Sequence, residues 1–156
     1  MFTGRLLAIA VAHKSKGPME RVDSIEAVAG EGLQGDRYGA GIGAAQYQGR
    51  RKPENEVTLI ACEAIDAAND EFNYTIEHLD TRRNLLTESV PLNDLIGRTF
   101  RVGPVVLKGL ERCEPCGYLE RRTFAGIKAA LKGRGGLRCC IIEGGMMQVG
   151  DAIELL

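Results

Sequence analysis

Short apolar runs, each ended within a few residues by glycine or proline, limit what this chain can fold into. Residues 99–102 and 104–107 read as two strands joined at Gly103-Pro104. Residues 5–13, 56–60, 138–143 and 148–155 are further strand candidates. In residues 22–29, Val22, Ser24, Glu26 and Val28 alternate with Ile25, Ala27 and Ala29, the period of a half-buried strand. Helical periodicity is rarer. Ala61, Ile65, Ala68 and Phe72 share one face of a helix ending near Asn73, and Phe124, Ile127 and Leu131 share another, with Thr123 as N-cap and Gly133 as stop. The sum is about eight short strands with no repeated strand–helix alternation, which predicts a mainly β fold. The expected form is a closed or partly open β-barrel with two or three short inserted helices, residues 1–156 making one domain.

Composition narrows the function classes. Hydrophobic residues make up 44% and charged residues 26%, as in folded globular proteins. The net charge of −1 gives no broad footprint for nucleic acid. No apolar run approaches the roughly 20 residues of a membrane span, so no membrane partner is expected. Residues 6–12 follow a lone Arg5 and end in an Ala-x-Ala pattern, like a minimal secretory signal, but they also make a good first strand. They are read as structure. With five cysteines, an odd number, the expected setting is a reducing, cytoplasmic one.

The chemistry-bearing stretch begins with the apolar run from Val105 and passes into Cys113-Glu-Pro-Cys-Gly-Tyr-Leu-Glu120. It reads as strand, tight turn, helix, with Cys116 at the junction. Arg112, Arg121 and Arg122 lie within six positions of Cys116 and favour a thiolate, while Glu111, Glu114 and Glu120 oppose it. On residues alone, Cys116 is either a carrier of sulfur or soft metal, or a buried structural thiol. Zinc is disfavoured because Cys139 and Cys140 are adjacent and cannot form a second knuckle, and His13 and His78 lack ligand spacing. A thioredoxin-like couple of Cys113 and Cys116 lacks its βαβ context.

Three other places offer anion contacts. Residues 30–53 form a long stretch without periodicity, with seven glycines and the run Gly32-Leu-Gln-Gly-Asp-Arg-Tyr38. Glycine amides with Asp36 and Arg37 suit a ligand loop or an ordinary surface loop equally. Arg82, Arg83 and Asn84 place two guanidiniums and an amide in succession; as a strand, Arg82 and Asn84 would share one face and Arg83 the other. Arg134-Gly-Gly-Leu-Arg138 could form an anion-binding concavity or a plain glycine turn.

Taken in order, Gly32-Leu-Gln-Gly-Asp-Arg-Tyr, Arg82-Arg-Asn-Leu-Leu, Leu95-Ile-Gly-Arg-Thr-Phe-Arg-Val-Gly, Cys113-Glu-Pro-Cys-Gly-Tyr-Leu-Glu, Gly133-Arg-Gly-Gly-Leu-Arg and Val149-Gly-Asp-Ala-Ile-Glu-Leu resemble the MOSC domain, named for the C-terminal domain of molybdenum cofactor sulfurase. The chain looks like a stand-alone member, without the aminotransferase-like or ferredoxin parts of larger relatives. The resemblance implies a β-barrel with a ligand pocket that binds molybdenum cofactor (molybdopterin) or carries sulfur. It makes Cys116 the catalytic thiol and metal ligand, and assigns the cofactor's phosphate to Arg37, Arg83, Asn84, Arg134 and Arg138. A sulfurtransferase or a component of a molybdenum-dependent oxidoreductase is the implied enzyme class. The implied partner is a molybdenum enzyme or a cofactor-biosynthesis protein. A non-catalytic module that delivers the cofactor, and a thiol redox protein, remain the alternatives. Cys113 receives no role from the resemblance.

Overall fold

A computed structural model describes residues 2–39 and 52–156. Among these, eleven strands form: β1 Thr3–Val11, β2 Glu20–Val22, β3 Ser24–Val28, β4 Gly32–Leu33, β5 Val57–Ala61, β6 Leu85–Glu88, β7 Thr99–Val102, β8 Val105–Arg112, β9 Leu137–Glu143, β10 Gly145–Gln148 and β11 Ala152–Leu155. Seven of them run β11-β7-β8-β9-β5-β6-β1, and β1 then pairs with β11 to close a barrel. Strand β2 hangs from β1, and β3, β4 and β10 form a separate small sheet. Closure leaves the barrel strands without free edges, the usual hazard of an open sheet.

Every neighbouring pair in the ring is antiparallel except β5 and β6. Parallel neighbours need a crossover, and the chain supplies one with helix α1, Cys62–Phe72, and the single turn α2, His78–Thr81. Helix α1 is amphipathic, as its spacing predicts. Ile65 and Ala68 face inward, and Asn73 ends it in the left-handed conformation at φ 56°. Two more short helices, α3 Gly117–Arg122 and α4 Ile127–Ala130, follow the cysteine turn.

Alternation along the strands sorts the side chains into two cores. On β5, Val57 and Leu59 point into the barrel with Leu137, Cys139 and Ile141 of β9. The next residue on the other face, Ile60, packs outside against Ile65, Leu119, Ile127 and Leu131 of the helices. The barrel interior is therefore filled with hydrocarbon, around Phe100, Leu6, Ile9 and Leu107. Any ligand must sit on the outside of the wall.

Several local expectations are corrected. Residues 22–29 are not one strand: the chain bends at Asp23, so β2 stays with the barrel while β3 joins the small sheet. Residues 82–84 precede β6 and are not strand, because Arg82 caps α2 in the left-handed region at φ 58°. Thr123 closes α3 rather than opening the next helix, and Gly126, at φ 106°, makes the break before α4. The Glu143-Gly-Gly segment hands the strand from the barrel to the small sheet.

Candidate functional site

The outer face of β5 and β9 carries Thr58 and Arg138, which are paired across the two strands. Over them lies a cavity of about 290 Å³. Its walls come from four further places: the loop after β1, the turn after β4, the segment leading into β6, and the cysteine turn with α3. Lys16, Arg37, Arg82, Arg83 and Arg138 line it, and among the described residues no carboxylate does. Cys113 and Cys116 line it too, with the rings of Tyr38 and Tyr118.

Each cation is positioned differently. Arg37 sits in the turn after β4, where Gly39 lies so close to Leu33 that a Cβ would fall 1.8 Å from the Leu33 carbonyl oxygen. The turn is pinned by Asp36, fully buried, which accepts from the Ala12 amide at 3.0 Å and from Arg37 at 3.3 Å. Arg37 also donates to the Arg82 carbonyl oxygen at 3.3 Å and stacks 4.7 Å over the Tyr38 ring.

Arg83 is a structural clamp within the wall. Its Nε donates to Gly135 at 2.7 Å, and its two terminal nitrogens donate to Thr81 and Cys113, all carbonyl oxygens. Burial lowers its pKa; the Cys113 and Cys116 sulfurs act the other way, and Arg138 and Arg37 add to the lowering. No carboxylate neutralises it among the described residues. Its bonds hold the cysteine turn against residues 133–136, with help from the Cys113 amide, which donates to Gly136 at 2.8 Å. Gly135 permits the contact: a Cβ there would lie 2.5 Å from the Cys113 carbonyl oxygen.

Arg82, noted in the sequence beside Arg83 but not assigned to the phosphate, lines the cavity. It is 7% exposed, yet its guanidinium has no hydrogen bond or ion pair among the described residues. Burial lowers its pKa, and the charge of Arg37 lowers it further. Two adjacent arginines gave no sign of which one stays free. The left-handed backbone at Arg82 decides it, and no glycine marks that position. Beside it, the Tyr118 hydroxyl is buried without a hydrogen-bond partner among the described residues.

Arg138 lies 3.7 Å from Glu111 and donates to Asn55, so it lines the cavity with part of its charge offset. Two expected residues lie outside. Asn84 is buried at 2% exposure and ties the barrel together, donating to Ala10 and accepting from the Thr58 amide and hydroxyl. Arg134 points away, donating to the Ala130 carbonyl oxygen and pairing with Glu71 of α1 at 2.6 Å.

The five thiols divide clearly. Burial, then Glu63, pushes Cys62 up to about 11, and burial raises Cys139 and Cys140. Cys139 points into the barrel and Cys140 away from it, as adjacent strand residues must. Cys113 and Cys116 are the two that meet the cavity. Cys113 is 1% exposed in the wall, and Cys116 stands exposed at its rim. Among the described residues, no three His, Cys, Asp or Glu side chains gather as a metal cluster. Among the same residues, no helix is long and apolar enough to cross a membrane.

The described residues thus form a closed β-barrel with a cationic, thiol-bearing cavity on its outer wall. The MOSC domain family model matches residues 46–154, and the chain belongs to that family, one generally associated with molybdenum cofactor binding. The fold is similar to that of the YuaD protein from Bacillus subtilis, with a TM-score of 0.79, 16% identity, and 99% of this chain and 98% of that one covered. YiiM from Geobacillus stearothermophilus is similar at TM-score 0.74 and 11% identity, with 98% of this chain and 75% of that one covered. YiiM from Escherichia coli gives 0.67 and 18%, with 97% and 69% covered. No curated protein matches.

Proposed function

We propose that this chain binds molybdenum cofactor in the cavity beside Cys116, and that Cys116 carries sulfur there as a persulfide. One observation carries the reading: an exposed thiol opens onto a cavity that, among the described residues, has five cationic side chains and no carboxylate. The residues fit such a group. The Tyr118 hydroxyl is a buried polar atom without a partner among the described residues, and Arg82, which lines the cavity, has an unpaired guanidinium that solvent still reaches. A buried hydroxyl is costly to leave unpaired, and a phosphate would satisfy it and pair with Arg82. The volume stands at the low end for small-molecule clefts, about 300–1,000 Å³.

Arg82, Arg37 and Lys16 would hold the phosphate, and Arg138 would close the β9 side. Arg83 and Asn84 act through the scaffold, holding the cysteine turn and the barrel wall. Bound cofactor would supply molybdenum chemistry next to a soft sulfur ligand. In the carrier step, the Cys116 thiolate attacks the outer sulfur of a donor persulfide. The new S–S bond forms on Cys116, the donor S–S bond breaks, and the donor leaves as a thiolate.

Peptide mass analysis after incubation with a small-molecule persulfide tests this. One added sulfur atom on Cys116, and none on Cys62, Cys139 or Cys140, is expected. Labelling of those three with Cys116 unmodified contradicts it. A delivery module without thiol chemistry is favoured instead if Cys116→Ser keeps cofactor affinity unchanged, since Lys16, Arg37 and Arg82 do not depend on the thiol.

A further inference from the structure

Cys113 has no part in the carrier step, yet it is placed to finish it. We infer that Cys113 is the resolving thiol: it attacks the persulfide on Cys116 and releases sulfide into the cavity. This rests on Cys116 as the sulfur carrier.

The two thiols line the same cavity but differ in access. Cys116 is exposed, so a donor from solution reaches it. Cys113 is 1% exposed, so a bulky donor does not. The asymmetry gives an order: loading outside, resolution inside. Both are free thiols in the structure, separated by Glu114-Pro115. A Cys-x-x-Cys spacing is one that closes into a disulfide in many oxidoreductases. The backbone of Cys113 is fixed at both ends, its amide donating to Gly136 and its carbonyl oxygen accepting from Arg83. Cys116, at the exposed end of the turn, is the N-cap residue of α3, its carbonyl oxygen accepting from the Glu120 amide at 3.2 Å.

The step balances without an outside oxidant. The Cys113 thiolate attacks Sγ of Cys116, the Cys113–Cys116 disulfide forms, and the bond from Sγ to the terminal sulfur breaks. That sulfur leaves with the electron pair as hydrosulfide. The two thiols are oxidised, and the terminal sulfur is reduced by two electrons. Hydrosulfide departs as an anion into a cavity lined by Lys16, Arg37 and Arg82, where positive charge stabilises the leaving group. A dithiol reductant then returns the pair to thiols for another round.

The experiment loads wild type, Cys113→Ser and Cys113→Ala with a small-molecule persulfide, removes excess donor, and follows free sulfide and peptide masses over time. In wild type, sulfide release and a Cys113–Cys116 disulfide appear together. In both variants, the persulfide stays on Cys116 and sulfide release slows by about tenfold or more, as expected when the attacking thiol is removed. Release as fast as wild type from either loaded variant, or release from wild type without the disulfide, overturns the inference. If Cys116 in wild type takes up no sulfur at all, the carrier reading and the inference fall together, and the loading measurement separates that case from the others.

Discussion

The Arg83 guanidinium reaches across thirty residues of chain to donate to the Cys113 carbonyl oxygen at 2.9 Å. With its bonds to Gly135 and Thr81, this makes one side chain the fastening between the segment before β6, the 133–136 loop and the cysteine turn. Replacing Arg83 with methionine leaves three buried carbonyl oxygens without their donor. The expected loss of stability is about 3 kcal/mol or more, read as a lower denaturant midpoint. An unchanged midpoint contradicts the clamp.

Arg82 makes the opposite prediction. Its side chain has no partner among the described residues, and its backbone is left-handed at φ 58°. Arg82→Gly relieves a left-handed backbone that costs a non-glycine residue about 1 kcal/mol, and the extra freedom glycine gives the unfolded chain offsets that gain, so stability stays level. Binding of inorganic pyrophosphate, followed by calorimetry, weakens by about tenfold, the worth of one charge-assisted contact. A destabilised variant with unchanged affinity contradicts both halves.

His78 gives the fold a pH dependence. Its Nε2 stands 2.9 Å from the Arg83 carbonyl oxygen, which only accepts, so Nε2 carries the proton and the unpartnered Nδ1 is bare. Burial lowers the pKa to about 4 from 6.5; the bond to Arg83 opposes this, and the charge of Arg21 adds to it. Between those values the unfolded chain binds a proton that the folded chain does not. Stability is therefore full above pH 6.5, falls as the pH drops toward 4, and is not reduced further by this group below that. The loss is about 3 kcal/mol. Thermal unfolding of wild type and His78→Gln between pH 7 and pH 4 checks it; the difference between the two curves shrinks as pH falls. Parallel curves contradict it.

Gly135→Ala tests the packing of the cysteine turn. The new methyl would meet the Cys113 carbonyl oxygen at 2.5 Å and Pro115 Cδ at 2.8 Å. Overpacking of this kind costs about 1–3 kcal/mol. Because the turn must shift, sulfur loading on Cys116 falls as well. A variant as stable and as readily loaded as wild type shows that the turn is not held at Gly135.

Patterns that are local in sequence were legible. The apolar spacing of α1, the Gly103-Pro104 turn between β7 and β8, and the opposite faces of Cys139 and Cys140 follow from periodicity. Barrel closure follows only in outline, since the β1–β11 pairing joins the two ends of the chain. The separation of Arg134 from Arg138 is long-range in origin: strand β9 begins between them, so only Arg138 shares the face of Thr58. Asn84 reads as a ligand in sequence because nothing there shows Thr58 and Ala10 lying within bonding distance of it. Asp36 and Arg37 lie in an ordered turn, while the rest of that glycine-rich stretch, residues 40–51, falls outside the described residues.

The most direct test is molybdenum and pterin content after anaerobic purification from a molybdenum-replete host, measured for wild type and for Arg82→Glu. Near-stoichiometric metal and oxidised-pterin fluorescence are expected in wild type, and loss of both in the charge-reversed variant while its unfolding transition is retained. Equal content in the two proteins, or none in folded wild type, contradicts this.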